Sequence, residues 1–335
     1  MSTSGYLLFR LASMLPTLLG VVVLTFFLSH GIEGDPARMM AGDAADPAVL
    51  ERIREQFRLN EPLYVQLGAY VGNLAQGNLG ISFQSRQPVL QSIAERFPAT
   101  MELTLFSLGF AFAGALPLGV LSAVHRNRPA DHLVRVLSVV GASMPAFWSG
   151  LMLIWLFYGR LDWLPPGGRL GTQSAPPRDL TGLFTVDSLL TGNWSTLGES
   201  LLHLVLPTFV LGYAYMALLA RMIRSSMLEV LAQDYVRIAR AKGLPEHTVV
   251  LRHALRNALM PVTTLAGLAF ASLLGGAVLT ETIFAWPGVG KFVVDATLYL
   301  DYPVIMGFTL VISLVYMAVN LLVDLLYGWL NPQIG

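Results

Sequence analysis

Apolar residues along this chain gather in six long runs, at about 11–31, 100–124, 133–158, 201–222, 258–280 and 304–328. A helix needs roughly 20 apolar residues to cross a hydrocarbon core about 30 Å thick, so each run predicts a transmembrane helix. Prolines fall inside several of them (Pro16, Pro117, Pro145, Pro207, Pro261). Membrane helices tolerate this where neighbours satisfy the freed backbone groups. Small residues recur four apart, as in Gly109/Ala113 and Gly267/Ala271, a spacing that suits close helix approach in lipid. The expected fold class is all-α and integral to the membrane, with six transmembrane helices.

The polar stretches between the runs are of different kinds. Residues 32–98 are too long for a plain loop. Asp46-Pro47 followed by Ala-Val-Leu-Glu-Arg-Ile-Arg-Glu-Gln-Phe57 reads as a capped amphipathic helix with proline at its first position. Glu61-Pro62 opens a second such pattern, and Gly77-Asn-Leu-Gly80 reads as a turn, so a small helical subdomain is expected. Residues 159–200, with Pro165-Pro-Gly-Gly168 and Pro176-Pro177, read as an irregular loop. Trp155, Trp163 and Trp194 lie near that loop and fit an aromatic belt at the membrane surface. From Glu281 to Pro303 a tight turn, Phe284-Ala-Trp-Pro-Gly-Val-Gly290, leads into an amphipathic stretch. The organisation expected is residues 1–31 as N-terminus and first span, 32–99 as a surface helical segment, and 100–335 as a membrane core.

Composition agrees with the pattern. The chain is 54% hydrophobic and only 13% charged, about half the roughly 25% charged content of soluble domains. Its formal net charge is zero, so nothing points to nucleic acid, and it has no cysteine for a disulfide or thiolate metal site. The first apolar run is too long for a signal-peptide core, and Ser29-His-Gly-Ile-Glu33 is a poor cleavage site, so it is read as a retained span. Orientation follows from lysine and arginine in the short connections. Arg10, Arg126, Arg128, Arg135, Arg221, Arg224, Arg237, Arg240, Lys242, Arg252 and Arg256 fall on one side if the N-terminus is cytoplasmic. Residues 32–98, on the other side, carry six arginines against eight carboxylates. Both termini are therefore expected in the cytoplasm.

No enzymatic constellation emerges. The six histidines are scattered, no metal-ligand spacing appears, and no Gly-x-x-x-x-Gly-Lys-Ser/Thr loop is present to hold a nucleotide. His203 reads as a histidine near a helix end rather than as a proton relay. Ionisable groups near the middle of a span are nearly absent, which argues against a self-sufficient ion-coupled transporter. Glu102 and Asp324 lie close to span ends. Ser143, Thr263, Thr264 and Ser272 are candidates for lining a mildly polar pathway, although such side chains also bond their own helix backbone.

The stretch that stands apart is polar yet helical. Asp234-Tyr-Val-Arg-Ile-Ala-Arg-Ala-Lys242 is followed by Gly243-Leu244, and Pro245 opens a second helix with Arg252 and Arg256 four apart. A basic helix–glycine–helix between two spans is a rigid protrusion. Arg237-Ile-Ala-Arg-Ala-Lys-Gly243 resembles the EAA loop of ABC importer permeases, in the form carried by peptide transporters. Ser225–Leu231, His253–Ala258, Leu279–Gly290, Gly34-Asp-Pro36, Glu61-Pro-Leu63, Gly77–Ser82 and Asn320–Gly328 extend the likeness nearly end to end. Arg237 and Ile238 replace the first two residues of the general motif, and Leu259-Met-Pro261 lies further from Gly243 than usual, as in the peptide branch. The chain resembles the B-type membrane subunits of dipeptide/oligopeptide ABC importers, whose relatives carry longer peptides, glutathione or nickel complexes.

That resemblance implies the type I importer permease fold. It also implies a second, C-type permease subunit, two ATP-binding subunits that carry the ATP and magnesium, and a periplasmic binding protein, all at a bacterial inner membrane. Residues 234–256 would couple to the ATPases through Asp234, Arg237, Ala239, Arg240, Ala241, Lys242, Gly243, Leu244, Arg252 and Arg256. The turn bearing Glu281, Phe284, Trp286, Pro287, Gly288 and Gly290, within 281–303, would act as a scoop toward the binding protein. No cofactor, metal or catalytic residue is expected in this chain itself. A stand-alone ion-coupled transporter would account for the spans but not for the basic helix pair.

Overall fold

The computed structural model of the protein describes residues 3–31, 36–41, 45–56 and 58–330. Gly34 and Asp35 of the expected Gly-Asp-Pro motif lie outside the described residues, as does the side chain of Asp324. The helices are α1 (Thr3–Gly31), α2 (Pro36–Ala41), α3 (Pro47–Gln56), α4 (Leu63–Ala75), α5 (Val89–Val124), α6 (Pro129–Ser143), α7 (Ala146–Leu153), α8 (Phe184–Thr191) and α9 (Trp194–Leu231). They continue as α10 (Asp234–Ala241), α11 (Glu246–Thr248), α12 (Leu255–Gly276), α13 (Val278–Ile283), α14 (Val289–Leu298) and α15 (Tyr302–Leu330).

Among the described residues, four of these (α1, α5, α9 and α15) are long and apolar enough to cross a membrane unbroken. The other two predicted spans are each a bent pair. Helices α6 and α7, the latter continued by a π-helical stretch Ile154–Arg160, meet at 101°. The straight helix expected over 133–158 is thus corrected, and the cause is local: Met144 precedes Pro145, and a residue before proline is pushed out of the α region. Its ψ is 123°, which ends α6. The second pair, Glu246–Ala258 and Met260–Gly275, bends by 55°. Pro261 sits just past that bend and removes a backbone N–H from the helix.

By packing, the chain forms two units. One comprises residues 1–98 and 288–317, the other residues 99–287 and 318–335. In the first, Leu79, Val89 and Ile93 pack with Val289, Ala296 and Val304. Asp301 accepts hydrogen bonds from Ser82 Oγ at 2.6 Å and from the Gln84 backbone at 3.2 Å. The Asp46 carboxylate caps α3 through the Ala48 amide at 2.9 Å, and α4 follows Pro62, both as the sequence predicts. Gly77 and Gly80 adopt φ of 75° and 88°, the left-handed turn their spacing suggests.

In the second unit α9 is the central element. Its 38 residues extend well past the apolar run at 201–222 and carry Arg221, Arg224 and Glu229. Leu219, Ile223 and Met227 of α9 pack with Ala111, Ala115 and Ala123 of α5 and with Ala258 and Val262 of α12. Small residues on α5 make this approach possible. A Cβ on Gly119 would lie 2.7 Å from Ile223, and a Cβ on Gly212 would lie 2.6 Å from the Ser107 carbonyl.

The two glycines singled out by spacing behave differently. A Cβ on Gly267 would overlap Val323, whereas Gly109 has nothing within 4 Å and borders an open apolar cavity. Gly267→Leu should therefore destabilise the protein by about 1–3 kcal/mol through overpacking. Gly109→Ala should leave stability unchanged or slightly raised. Thermal unfolding of the two detergent-solubilised variants, followed by intrinsic fluorescence, checks the contrast.

Candidate functional site

The polar segment after α9 folds as the sequence suggests. Helix α10 buries Val236 and Ala239 against Val249, with Val230 and Leu231 beside them. These two residues are three apart and share one face. The opposite face leaves Arg237, Ile238 and Lys242 exposed. Gly243 takes φ +77° and ends the helix, its amide bonding the Arg240 carbonyl at 2.9 Å. A residue with a Cβ would be strained there.

A side-chain brace spans the break. Arg240 donates to Glu246 through Nη2 at 2.7 Å and Nε at 3.1 Å, a bidentate pair across the glycine turn. Tyr235 adds a second tie, donating to the His253 carbonyl at 3.4 Å and accepting from Asn257 Nδ2 at 2.7 Å. Arg240 is thus paired within the chain while its side chain stays 41% exposed. Beyond Pro245 the helix runs on through a π-helical stretch, Val249–Ala254, straight into α12. Arg252 and Arg256 are exposed at the surface of this continuous rod, together with Leu251. Ala241 and Leu244 are exposed as well, whereas Ala239 is buried.

The turn Glu281–Gly290 is a different matter. Glu281, Phe284 and Trp286, named for the scoop-like turn, all have buried side chains. Glu281 accepts a 2.6 Å hydrogen bond from Thr100, and Trp286 Nε1 donates to the Ala99 carbonyl at 2.8 Å. Thr282, Ala285 and Pro287 are what the turn exposes. The tight turn also does not use its glycines as expected. Gly288 is extended and Gly290 is helical, and the left-handed residue is Ala285 at φ 46°.

Of the residues expected to form an irregular loop, 161–183 lack regular structure as expected, whereas 184–200 are largely helical. The helical part contains α8, and a buried network pins both parts. Glu102 and Arg169, 2% and 9% exposed, form an ion pair at 2.6 Å. Glu102 also accepts from the Thr185 backbone at 2.8 Å and hydroxyl at 2.7 Å, while Arg169 donates to the Gly182 carbonyl at 2.8 Å and stacks 3.5 Å over Phe184. Burial holds the Arg169 guanidinium below its ordinary value although Glu102 opposes the shift; an arginine still stays charged. The Gly168 amide donates to the Phe284 carbonyl at 2.8 Å, so this segment is joined to the buried turn. His203 Nδ1 donates to the Gly167 carbonyl at 2.8 Å, the structural role expected of it.

Sequence reasoning missed these pairs because Glu102 and Arg169 are 67 residues apart. It also missed a second pair. Asp131, wholly buried, accepts from Arg224 at 2.7 and 2.9 Å, from Ser122 at 2.6 Å and from the Asn127 amide at 2.9 Å. Arg224 counted only as one more basic residue beside a span. The available signal was Pro129 at a helix start with an acid in its first turn. Among the pathway candidates, Thr263 bonds the Met260 carbonyl of its own helix at 2.7 Å. Thr264 is half-buried, and Ser143 and Ser272 are exposed. None of the four lines the apolar cavity of about 660 Å³ formed by Leu105, Phe106, Phe110, Leu204 and Phe209.

The described residues form a mainly helical membrane chain with broken spans and a braced helix pair between two of them. The chain belongs to the family described as binding-protein-dependent transport system inner membrane components, whose model matches residues 115–335, with its N-terminal companion matching residues 4–104. It is 52% identical to the probable D,D-dipeptide transport system permease protein DdpB of Escherichia coli K12, over 94% of this chain and 93% of that protein. It is 47% identical to the di/tripeptide transport system permease protein DppB of Pseudomonas aeruginosa UCBPP-PA14, over 97% of both. Among solved structures, a chain of the methionine ABC transporter MetNI in an inward-facing conformation matches with a TM-score of 0.53 and 18% identity, covering 72% of this chain and 96% of that one. The fold is that of an ABC importer permease.

Two outcomes follow for the buried network. Arg169→Ala strands the Glu102 carboxylate and should cost about 3–5 kcal/mol of stability, with part recovered in the Arg169→Met/Glu102→Met double variant; unfolding midpoints measure both. Asp187 accepts from the Leu180, Thr181 and Gly182 amides and the Thr181 hydroxyl. Burial alone would raise its carboxyl, but these bonds together hold it below the ordinary range. A depressed folded value gives stabilisation that is complete above the unfolded value of about 3.9 and lost as pH falls through the folded value. Protection factors for amide exchange at residues 180–187 should therefore fall below about pH 4. In Asp187→Asn protection should be low already at neutral pH and nearly independent of pH.

Proposed function

We propose that this chain is the membrane-spanning, non-catalytic permease subunit of an ATP-driven importer for dipeptides. The observation that carries the reading is the braced pair α10–α11, whose second member runs without interruption into the bent fifth span. A force applied to this surface is delivered to α12 rather than absorbed in a loop. The exposed set Arg237, Ile238, Lys242, Leu244, Arg252 and Arg256 mixes cations with apolar side chains, as protein interfaces do.

In this reading two ATP-binding subunits hold the ATP and magnesium and grip the surface from the cytoplasm. A second, C-type permease completes the translocation pathway, and a periplasmic binding protein delivers the peptide near Ala285 and Pro287. Both termini face the cytoplasm, as the arginine bias of the short connections supports. The names of the relatives support dipeptides as cargo, and the 52% identity to a permease named for D,D-dipeptides favours that stereochemistry as the second reading.

Reconstituting the complete complex in liposomes and measuring ATPase stimulation tests the cargo. Binding protein loaded with an L,L-dipeptide, a D,D-dipeptide, a longer peptide or a nickel chelate is added in parallel. Dipeptide-loaded protein should stimulate most, and the two stereoisomers decide between the readings. Equal or stronger stimulation by the longer peptide or the chelate overturns the dipeptide assignment. For coupling, Arg237→Glu should lower transport at least tenfold without shifting the unfolding midpoint, because Arg237 is 71% exposed and pairs with exposed Asp234 at 3.4 Å. Reversal of an acid on the ATPase to lysine should restore part of the activity.

A further inference from the structure

Helix α8 is amphipathic in the inverted sense. Its inner face is polar: Thr185, Asp187 and Ser188 are buried. Its outer face is apolar: Leu189 and Leu190 are 55% and 65% exposed, with Val186 beside them. The exposed apolar surface continues into Leu180 before the helix and Trp194 after it. Between residues 180 and 194 the one charged residue is Asp187, and it is buried. A helix bathed in water would place these faces the other way round.

The backbone amides that open this segment are satisfied from within, while the buried Ser188 hydroxyl has no partner among the described residues. The Asp187 carboxylate takes the amides of Leu180, Thr181 and Gly182, and Glu102 takes the Thr185 amide. At the far end Gly192 takes φ 69° and its amide bonds the Leu189 carbonyl at 3.3 Å, while Asn193 caps α9. Water could serve these amides equally well at an aqueous surface. Internal satisfaction becomes necessary where water is scarce. The elements on either side set the depth. The segment leaves the broken span α6–α7 at Arg160 and enters α9 at Trp194. Exposed tryptophans mark both passages, Trp155 and Trp163 on one side and Trp194 on the other. Tryptophan concentrates at the membrane–water boundary.

We infer that α8 is an interfacial membrane helix, lying in the headgroup region with Val186, Leu189 and Leu190 turned into lipid. Its buried polar face anchors residues 164–193 to the protein while its apolar face anchors them to the bilayer. Its occupant is lipid, continuous with the lipid that surrounds the spans on either side of it. An eight-residue helix is too short to cross the membrane and is suited to lie in its plane.

The chain has no cysteine, so single labels can be placed without removing native thiols. Leu190→Cys, Leu189→Cys and, as an aqueous reference, Arg178→Cys are spin-labelled in the complete complex in liposomes. Collision rates with oxygen and with a water-soluble nickel chelate are then compared. At positions 189 and 190 oxygen should exceed the chelate several-fold, with the reverse at 178. Chelate collisions dominating at 189 and 190 would overturn the inference by placing the face in water. Shielding from both reagents, or immobilisation of the label when binding protein is added, would overturn it by placing a protein there.

Discussion

A carboxylate removed from water must find its counter-charge within the protein, and Glu102 imposes that requirement on the larger unit. Burying an ion is costly unless it is paired and hydrogen-bonded. Glu102 obtains Arg169 and the Thr185 amide and hydroxyl from a segment far along the chain. Arg169 in turn draws in the Gly182 carbonyl and the face of Phe184. A segment with the composition of a loose loop is held as a consequence, and it reaches the buried turn through Gly168 and Phe284. Asp131 does comparable work further along, joining the start of α6 to α9 through Arg224 and to α5 through Ser122.

Rigidity at these points contrasts with two bends. Met144–Pro145 breaks one predicted span by 101°, and the other pair bends by 55° beside Pro261. Proline supplies both through local geometry, without needing tertiary strain. In the second case the bend lies beyond Ala258, on the same helix as α11 of the braced pair α10–α11. The Arg240–Glu246 bridge and the Val236–Val249 contact hold that pair as one body on one side of the bend. A permease of a binding-protein-dependent transport system needs such a division, with stiff parts to receive force and a defined place where direction changes.

Much of this was legible in the residues. Apolar run length located the membrane-crossing segments, Asp46-Pro47 and Glu61-Pro62 located the helices of the N-terminal unit, and Gly243 located the break in the coupling element. What stayed hidden involved partners distant in the chain. Glu281, Phe284 and Trp286 lie in a motif that reads as an exposed turn, yet Thr100 and Ala99 draw them inward. The left-handed residue of that turn is Ala285, not one of its glycines. Gly109 and Gly267 look alike in spacing, and only the neighbour opposite each distinguishes them.

The sequence by itself determined the membrane class, the approximate spans and the helix–glycine–helix that sets this chain apart. Those features depend on hydropathy, propensity and backbone restriction, which act over a few residues. The tertiary structure decided which charges are buried and with whom, and which face of α8 is turned inward. Those outcomes depend on desolvation and close packing between residues tens of positions apart. The braced coupling segment belongs to both: its helices follow from local pattern, and its stiffness from the Arg240–Glu246 bridge that only the folded chain assembles.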